Sequence, residues 1–175
     1  MNFHELALKR ESCRNYDGRP VSHELLCEIL ETARLSPSAC NSQPWKLILA
    51  ENEVAEKLRP LVSENGRNTF CHNVPAFVAI CETKATLKPG VTGDPQRYAQ
   101  MDVGMVTMML TLAAADKGVG SCILGTFNQE KTKELLNIPE DVTVRLVIAL
   151  GYSADESPRK KIRKPEEAVV GFGSF

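Results

Sequence analysis

The chain has 175 residues, 43% hydrophobic and 25% charged, which suits one folded unit with its own core. The net charge is −1, so a nucleic-acid or anionic-membrane partner has no electrostatic basis. No apolar run reaches a membrane-spanning length, so a membrane partner is not expected.

The opening residues, MNFHELALKRESC, show no apolar signal region and no small-residue cleavage site. A cytoplasmic chain with reduced thiols is therefore expected. Cysteines stand at 13, 27, 40, 71, 81 and 122, none in a CxxC pair, and His4, His23 and His72 are not spaced as ligands. No metal site is expected. Cys27 and Cys81 fall inside apolar patterns and read as core residues.

Residues 2–9 predict a short helix. Ser22 is a good N-cap, and Leu25, Leu26, Ile29, Leu30 and Ala33 give a helical stripe that Pro37 stops. SPSACNSQPW follows at 36–45, then KLILA at 46–50 reads as a short buried strand. Asn52 is expected to cap a helix that Pro60 interrupts or kinks. AFVAIC at 76–81 is a second strand, and the Pro- and Gly-rich residues 83–96 a loop. The longest helix is expected from Arg97 to Asp116, with Met101, Met105, Met108, Met109, Leu112 and Ala113 over a wide apolar arc that makes it central. Strands at 121–124 and 142–150 flank a helix capped by Asn128 and stopped at Ile138-Pro139. Strands interleaved with helices predict an α/β or α+β sandwich. GxGxxG and GxxxxGK[ST] are both missing, which argues against a Rossmann or P-loop site.

Arg10, Ser12 and Arg14 stand at alternating positions. In an extended segment all three point to one side, two charged forks and a hydroxyl, a set suited to a phosphate dianion. In a helix Arg10 and Arg14 would share a face without Ser12; the turn residues Asn15, Asp17, Gly18 and Pro20 favour the extended form. Lys161 and Arg163 repeat the spacing near the other end. Each cluster read alone also fits a solvated basic surface.

With these residues in place, ALKRESCRNYDGRPV and ARLSPSACNSQPW resemble the nitroreductase family of FMN-dependent oxidoreductases. NVPAFVAIC, MDVGMVTMMLTLAAADKGVGSCILGTF and LVIALGYSADESPRKKIRKPEEAVV resemble its later segments in order, so the likeness covers nearly the whole chain. It implies an α+β sandwich with a central mixed sheet flanked by helices. It also implies an intertwined homodimer, with an arm of about residues 157–175 reaching the partner and FMN at the interface. By this likeness Arg10, Ser12 and Arg14 would contact the FMN phosphate, ribityl chain and pyrimidine edge, with Lys161 and Arg163 at the phosphate. Ser38, Ala39 and Asn41, with Gln43 near them, would come from the other subunit. Cys122, Leu124 and Gly125 match the turn along the flavin ring, and Asn68 aligns with a partner of its pyrimidine edge.

The implied activity is NAD(P)H oxidation with ping-pong transfer through flavin N5 to a nitroaromatic, quinone or related small-molecule acceptor. FMN then carries the chemistry, and no catalytic side chain is required. The alternative is an FMN-binding redox sensor or storage module with little turnover. A third reading, of another class, is a cysteine enzyme using Cys40 or the Cys71-His72 pair. The chain lacks the long helical excursion that often covers the active site, and has Leu124 where some members carry an acid; both bear on substrate range.

Overall fold

The computed structural model describes residues 1–175. Its helices are α1 (Phe3–Lys9), α2 (His23–Ala33), α3 (Asn52–Val62), α4 (Pro95–Asp116) and α5 (Gln129–Leu135); its strands are β1 (Trp45–Glu51), β2 (Ala76–Glu82), β3 (Gly120–Leu124) and β4 (Thr143–Gly151).

Local chemistry sets most of the ends. Asn2 and Glu5 close a reciprocal capping box on α1, the Glu5 N–H donating to Asn2 Oδ1 at 2.9 Å and the Asn2 N–H to Glu5 Oε2 at 2.8 Å. Ser22, Asp94 and Asn128 cap α2, α4 and α5 with their side-chain oxygens. Pro95 fills the first turn of α4, so that helix begins two residues before the expected Arg97. It ends in a Schellman turn. Gly118 takes φ +75°, and the Val119 N–H donates to Ala114 O at 2.8 Å.

Two expectations about α3 need correcting. Glu51, not Asn52, holds the cap position, and Asn52 opens the helix at φ 53°. Pro60 does not interrupt it; it sits on the exposed side of the last turn, as does Glu56 one turn before it.

The sheet order is β1-β2-β4-β3, and every strand pairing is antiparallel. The α+β sandwich is therefore present, while the mixed sheet is corrected to an antiparallel one within the chain. Its only parallel pairing is an isolated bridge between Ser12 and Ser121. Strand alternation sends Phe77, Ala79 and Cys81 of β2 to one face with Leu58 and Val62 of α3. Val78 and Ile80 go to the other with Ile29 of α2 and Val106 and Leu110 of α4. Gly151 allows a close crossing, since a Cβ there would stand 2.8 Å from Pro75 Cδ and 2.9 Å from Tyr16 Cδ1.

The central helix is α4, but its core face is Ala99, Val103, Val106, Leu110 and Ala114. Met101, Met105 and Met108 lie outside, 51%, 42% and 42% exposed. Cys81 is core; Cys27 is exposed, because it falls on the polar flank of α2 with Glu31 and Arg34.

Candidate functional site

The chain leaves α1 at Arg10 and runs extended along β3. Cys13 N–H donates to Ser121 O at 2.9 Å, beside the Ser12–Ser121 bridge. Alternation then buries Cys13 and turns Arg10, Ser12 and Arg14 to the opposite side. The C-terminal arm folds back onto this segment. Lys161 Nζ donates to Arg10 O, and Arg159 donates through Nη2 to Ser12 O and through Nε to Glu11 Oε2 at 3.2 Å.

The result is a cleft of about 340 Å³ that gathers Arg10, Ser12, Arg14, Lys161 and Arg163, from both chain ends. Arg159 is part of it and was not singled out in the sequence. It extends the alternation of 161 and 163 by one step, the signal that could have found it. Six cations line the cleft against one carboxylate, Glu11. Two further features mark the cleft. Partial burial, with the Arg10 and Arg163 cations alongside, holds the Lys161 ammonium below the usual lysine range, against a smaller opposing pull from Glu11. Arg10 Nε is buried with no hydrogen-bond partner. An unpartnered buried guanidinium N–H among other cations is a donor set awaiting an anion.

Cys122 and Leu124 lie on β3 beneath this segment with their side chains in the core. Burial pushes the Cys122 thiol up, although the Arg14 and Arg159 cations and a hydrogen bond from Ser12 pull it down. Gly125 is exposed, with open space where a side chain would stand. The Cys122 and Leu124 side chains are thus turned inward, and past β3 the Gly125 backbone is open to a ligand. Asn68, at φ 49°, donates from Nδ2 to Val62 O and Thr126 O, both at 2.9 Å, which pins it beside the Gly125-Thr126 turn.

The loop Ser38–Gln43 lines no part of the cleft in its own chain. It is held in shape by its own bonds and by α4. Asp102, 1% exposed, accepts the Ala39 N–H with both oxygens at 3.2 and 3.1 Å. The Gln43 N–H donates to Ser38 Oγ at 2.9 Å, and Gln43 Nε2 to Asn41 O and Oδ1 at 3.2 Å. Cys40, Asn41 and Gln43 all take φ near +50° (53°, 53° and 48°), and Asn41 and Gln43 are exposed at the tip. Cys40 has no histidine partner; its sulfur accepts the Lys88 N–H at 3.4 Å. Burial pushes the Cys71 thiol up to about 12, which removes the nucleophile from the Cys71-His72 reading. No group of acidic, histidine and cysteine side chains is placed to hold a metal, and no helix is long and apolar enough to cross a membrane.

Comparison with known proteins fits this arrangement. The family model described as Nitroreductase family matches residues 7–69 and 53–152. An Archaeoglobus fulgidus protein described provisionally as an NADH dehydrogenase/NAD(P)H nitroreductase is 33% identical over 151 residues, covering 84% of this chain and 83% of its own. A Bacillus subtilis FMN reductase [NAD(P)H] is 27% identical, covering 90% of this chain and 68% of its own. Among solved structures, a nitroreductase family protein from Clostridium difficile 630 superposes with TM-score 0.84 at 27% identity over 100% of both chains. The chain belongs to the nitroreductase family.

Proposed function

We propose that this chain is an FMN-dependent NAD(P)H oxidoreductase. The observation that carries the reading is the cation-rich cleft closed by both chain ends, with Arg10 Nε buried and unpartnered inside it. That donor set fits a flavin phosphate: Arg10, Ser12, Lys161 and Arg163 would hold it, with Arg159 at the rim. Arg14 is exposed at the cleft edge, where its cation would face the flavin pyrimidine edge. The Gly125 turn would offer backbone to the ring, with Asn68 beside it and the Cys122 and Leu124 side chains turned away. When bound, FMN supplies the redox chemistry, taking electrons from NAD(P)H and passing them to a nitroaromatic, quinone or related acceptor in a ping-pong sequence.

A second copy of the chain completes the site. The outer face of α4 presents Met101, Met105 and Met108, and Gly104 with nothing within 4 Å of its Cβ position. This unpartnered apolar stripe runs along the same helix whose Asp102 carries the 38–43 loop. A homodimer seated on it would bring Ser38, Ala39, Asn41 and Gln43 to the other copy's flavin. The chain is read as one FMN-binding domain, with the arm from about 157 docked on the cleft.

The test is an absorption spectrum of the purified protein with FMN, followed by anaerobic NADH or NADPH and then an acceptor. Rapid bleaching and acceptor-dependent recovery are expected. No flavin uptake would overturn the reading; flavin uptake with slow or no bleaching would replace it with a redox sensor or store.

A further inference from the structure

On the opposite side of the chain from the β3 edge, α2 and the end of β1 assemble a second set of reactive side chains. His23 and Cys27 lie one turn apart on α2. Glu51 closes β1. The Glu51 carboxylate lies 2.8 Å from His23 Nδ1. A carboxylate only accepts, so in the neutral imidazole this contact assigns the proton to Nδ1 and leaves Nε2 its lone pair. That Nε2 lies 3.4 Å from Cys27 Sγ. Thiol, imidazole and carboxylate thus stand in the order in which an acid orients a base and the base takes a thiol proton.

Cys27 is also the one exposed thiol of the six. Cys13, Cys71, Cys81 and Cys122 are buried, and burial pushes Cys71 to about 12 and Cys81 to about 11. Independently, Cys27 lines a cleft of about 570 Å³ between α2 and β1. Leu30, Trp45 and Leu47 give it apolar walls. Two charged side chains from α2 and its end also line it, and Arg34 is neutralised by Glu31, to which its Nε donates at 2.9 Å. Lys46 of β1 stands on the opposite face of the sheet, paired across strands with Cys81. The cleft therefore suits a molecule with an apolar body.

We propose that Cys27, His23 and Glu51 form a nucleophilic thiol site, separate from the basic cleft, whose reaction partner is a small disulfide with an apolar body. In the step, the Cys27 thiol proton passes to His23 Nε2 and the thiolate sulfur attacks one sulfur of the disulfide. The new bond is Cys27 S–S–R, the old S–S bond breaks, and the departing RS⁻ takes the proton from His23. Cys27 is oxidised to the mixed disulfide and the leaving half reduced to RSH, so no further reductant or oxidant enters.

The test uses the full chain loaded with FMN and the dianionic aromatic disulfide dithiobis(nitrobenzoate), with release of the thiol followed by absorbance and the modified residue located by peptide mass. Cys27 is expected to react first. His23→Gln and Glu51→Gln should each slow it roughly tenfold, less than for an enclosed base because His23 is exposed. Cys27→Ser should abolish the fast phase and keep flavin content. First modification at Cys40 would overturn the proposal, as would a Cys27 rate unchanged in His23→Gln. Unchanged circular dichroism in each variant separates loss of the site from loss of fold.

Discussion

Lys161 and Arg10, 151 positions apart, are joined by a hydrogen bond from the lysine Nζ to the arginine carbonyl. This contact closes the basic cleft and holds the lysine among like charges. Lys161→Ala is expected to weaken FMN binding by about 2 kcal/mol, the value of a charge-assisted hydrogen bond. The pH dependence has a fixed sign. Burial and the neighbouring cations hold the Lys161 ammonium below its usual range, so it loses its proton at lower pH in the native protein than in the unfolded chain. Between those two values the unfolded chain binds more protons, and this group's contribution to native stability rises with pH. Affinity for a phosphate runs the other way: it is complete below the depressed value and falls as pH rises through it. Fluorescence titrations of FMN across the alkaline range should show that fall, and Lys161→Arg should flatten it.

The Ser38–Gln43 loop depends on α4. Asp102 is buried and its carboxylate takes the Ala39 N–H. Asp102→Ala should destabilise the protein by about 2 kcal/mol, as for a hydrogen bond to a charged group. Asp102→Asn keeps an acceptor and should cost less. Urea denaturation reads both. If the loop reaches the other copy's flavin, Asp102→Ala also lowers flavin retention on gel filtration while Asp102→Asn holds it.

Alternation at Arg10, Ser12 and Arg14 could be read without a structure because an extended backbone fixes which side chains share a side. Arg159 shares the alternation of 161 and 163, but that spacing does not separate a cleft residue from a solvated one until the arm docks on Glu11 and the Ser12 carbonyl, far away in sequence. Wide apolar arcs are similarly ambiguous. In α4 the buried face is made of small residues, valines and Leu110, so Met101, Met105 and Met108 fall on the far side. Cys27 was misread as core because Leu26 and Ile29 stand beside it; its partners at helical spacing are His23, Glu31 and Arg34, a polar face that the apolar stripe obscured. Antiparallel pairing of all four strands follows from contacts between distant segments, which local patterning does not encode.

Glu82, 5% exposed, is the one buried carboxylate on the sheet; it is hydrogen-bonded from two elements, of which one carries the opposite charge. Arg145 of β4 pairs with Oε2, and Gln96 Nε2 of α4 donates to Oε1 at 2.7 Å. Removing Arg145 leaves most of a buried charge uncompensated. Arg145→Ala should cost about 2–3 kcal/mol, somewhat below a fully enclosed pair because the arginine is partly exposed. The double change Glu82→Leu with Arg145→Leu should recover most of that loss, since both polar partners go together. A double-mutant cycle by urea melts measures the coupling.

The exposed stripe on α4 separates two accounts of its methionines. A helical glycine with open space at its Cβ position should gain about 0.5–1 kcal/mol on conversion to alanine when nothing packs there. Gly104 meets that condition in the single chain. If a second copy covers the stripe, the added methyl enters a closely packed contact and weakens association instead. Met105→Lys should be more severe, because a charge set among Met101 and Met108 of two copies has no partner. Sedimentation is expected to show a dimer for the parent chain, a concentration-dependent monomer for Met105→Lys, and an intermediate shift for Gly104→Ala. Flavin retention should fall in the same order, because the proposed contact of the 38–43 loop with the other copy's flavin requires the assembled dimer. A parent chain that sediments as a monomer and still retains flavin would show that the cleft alone suffices.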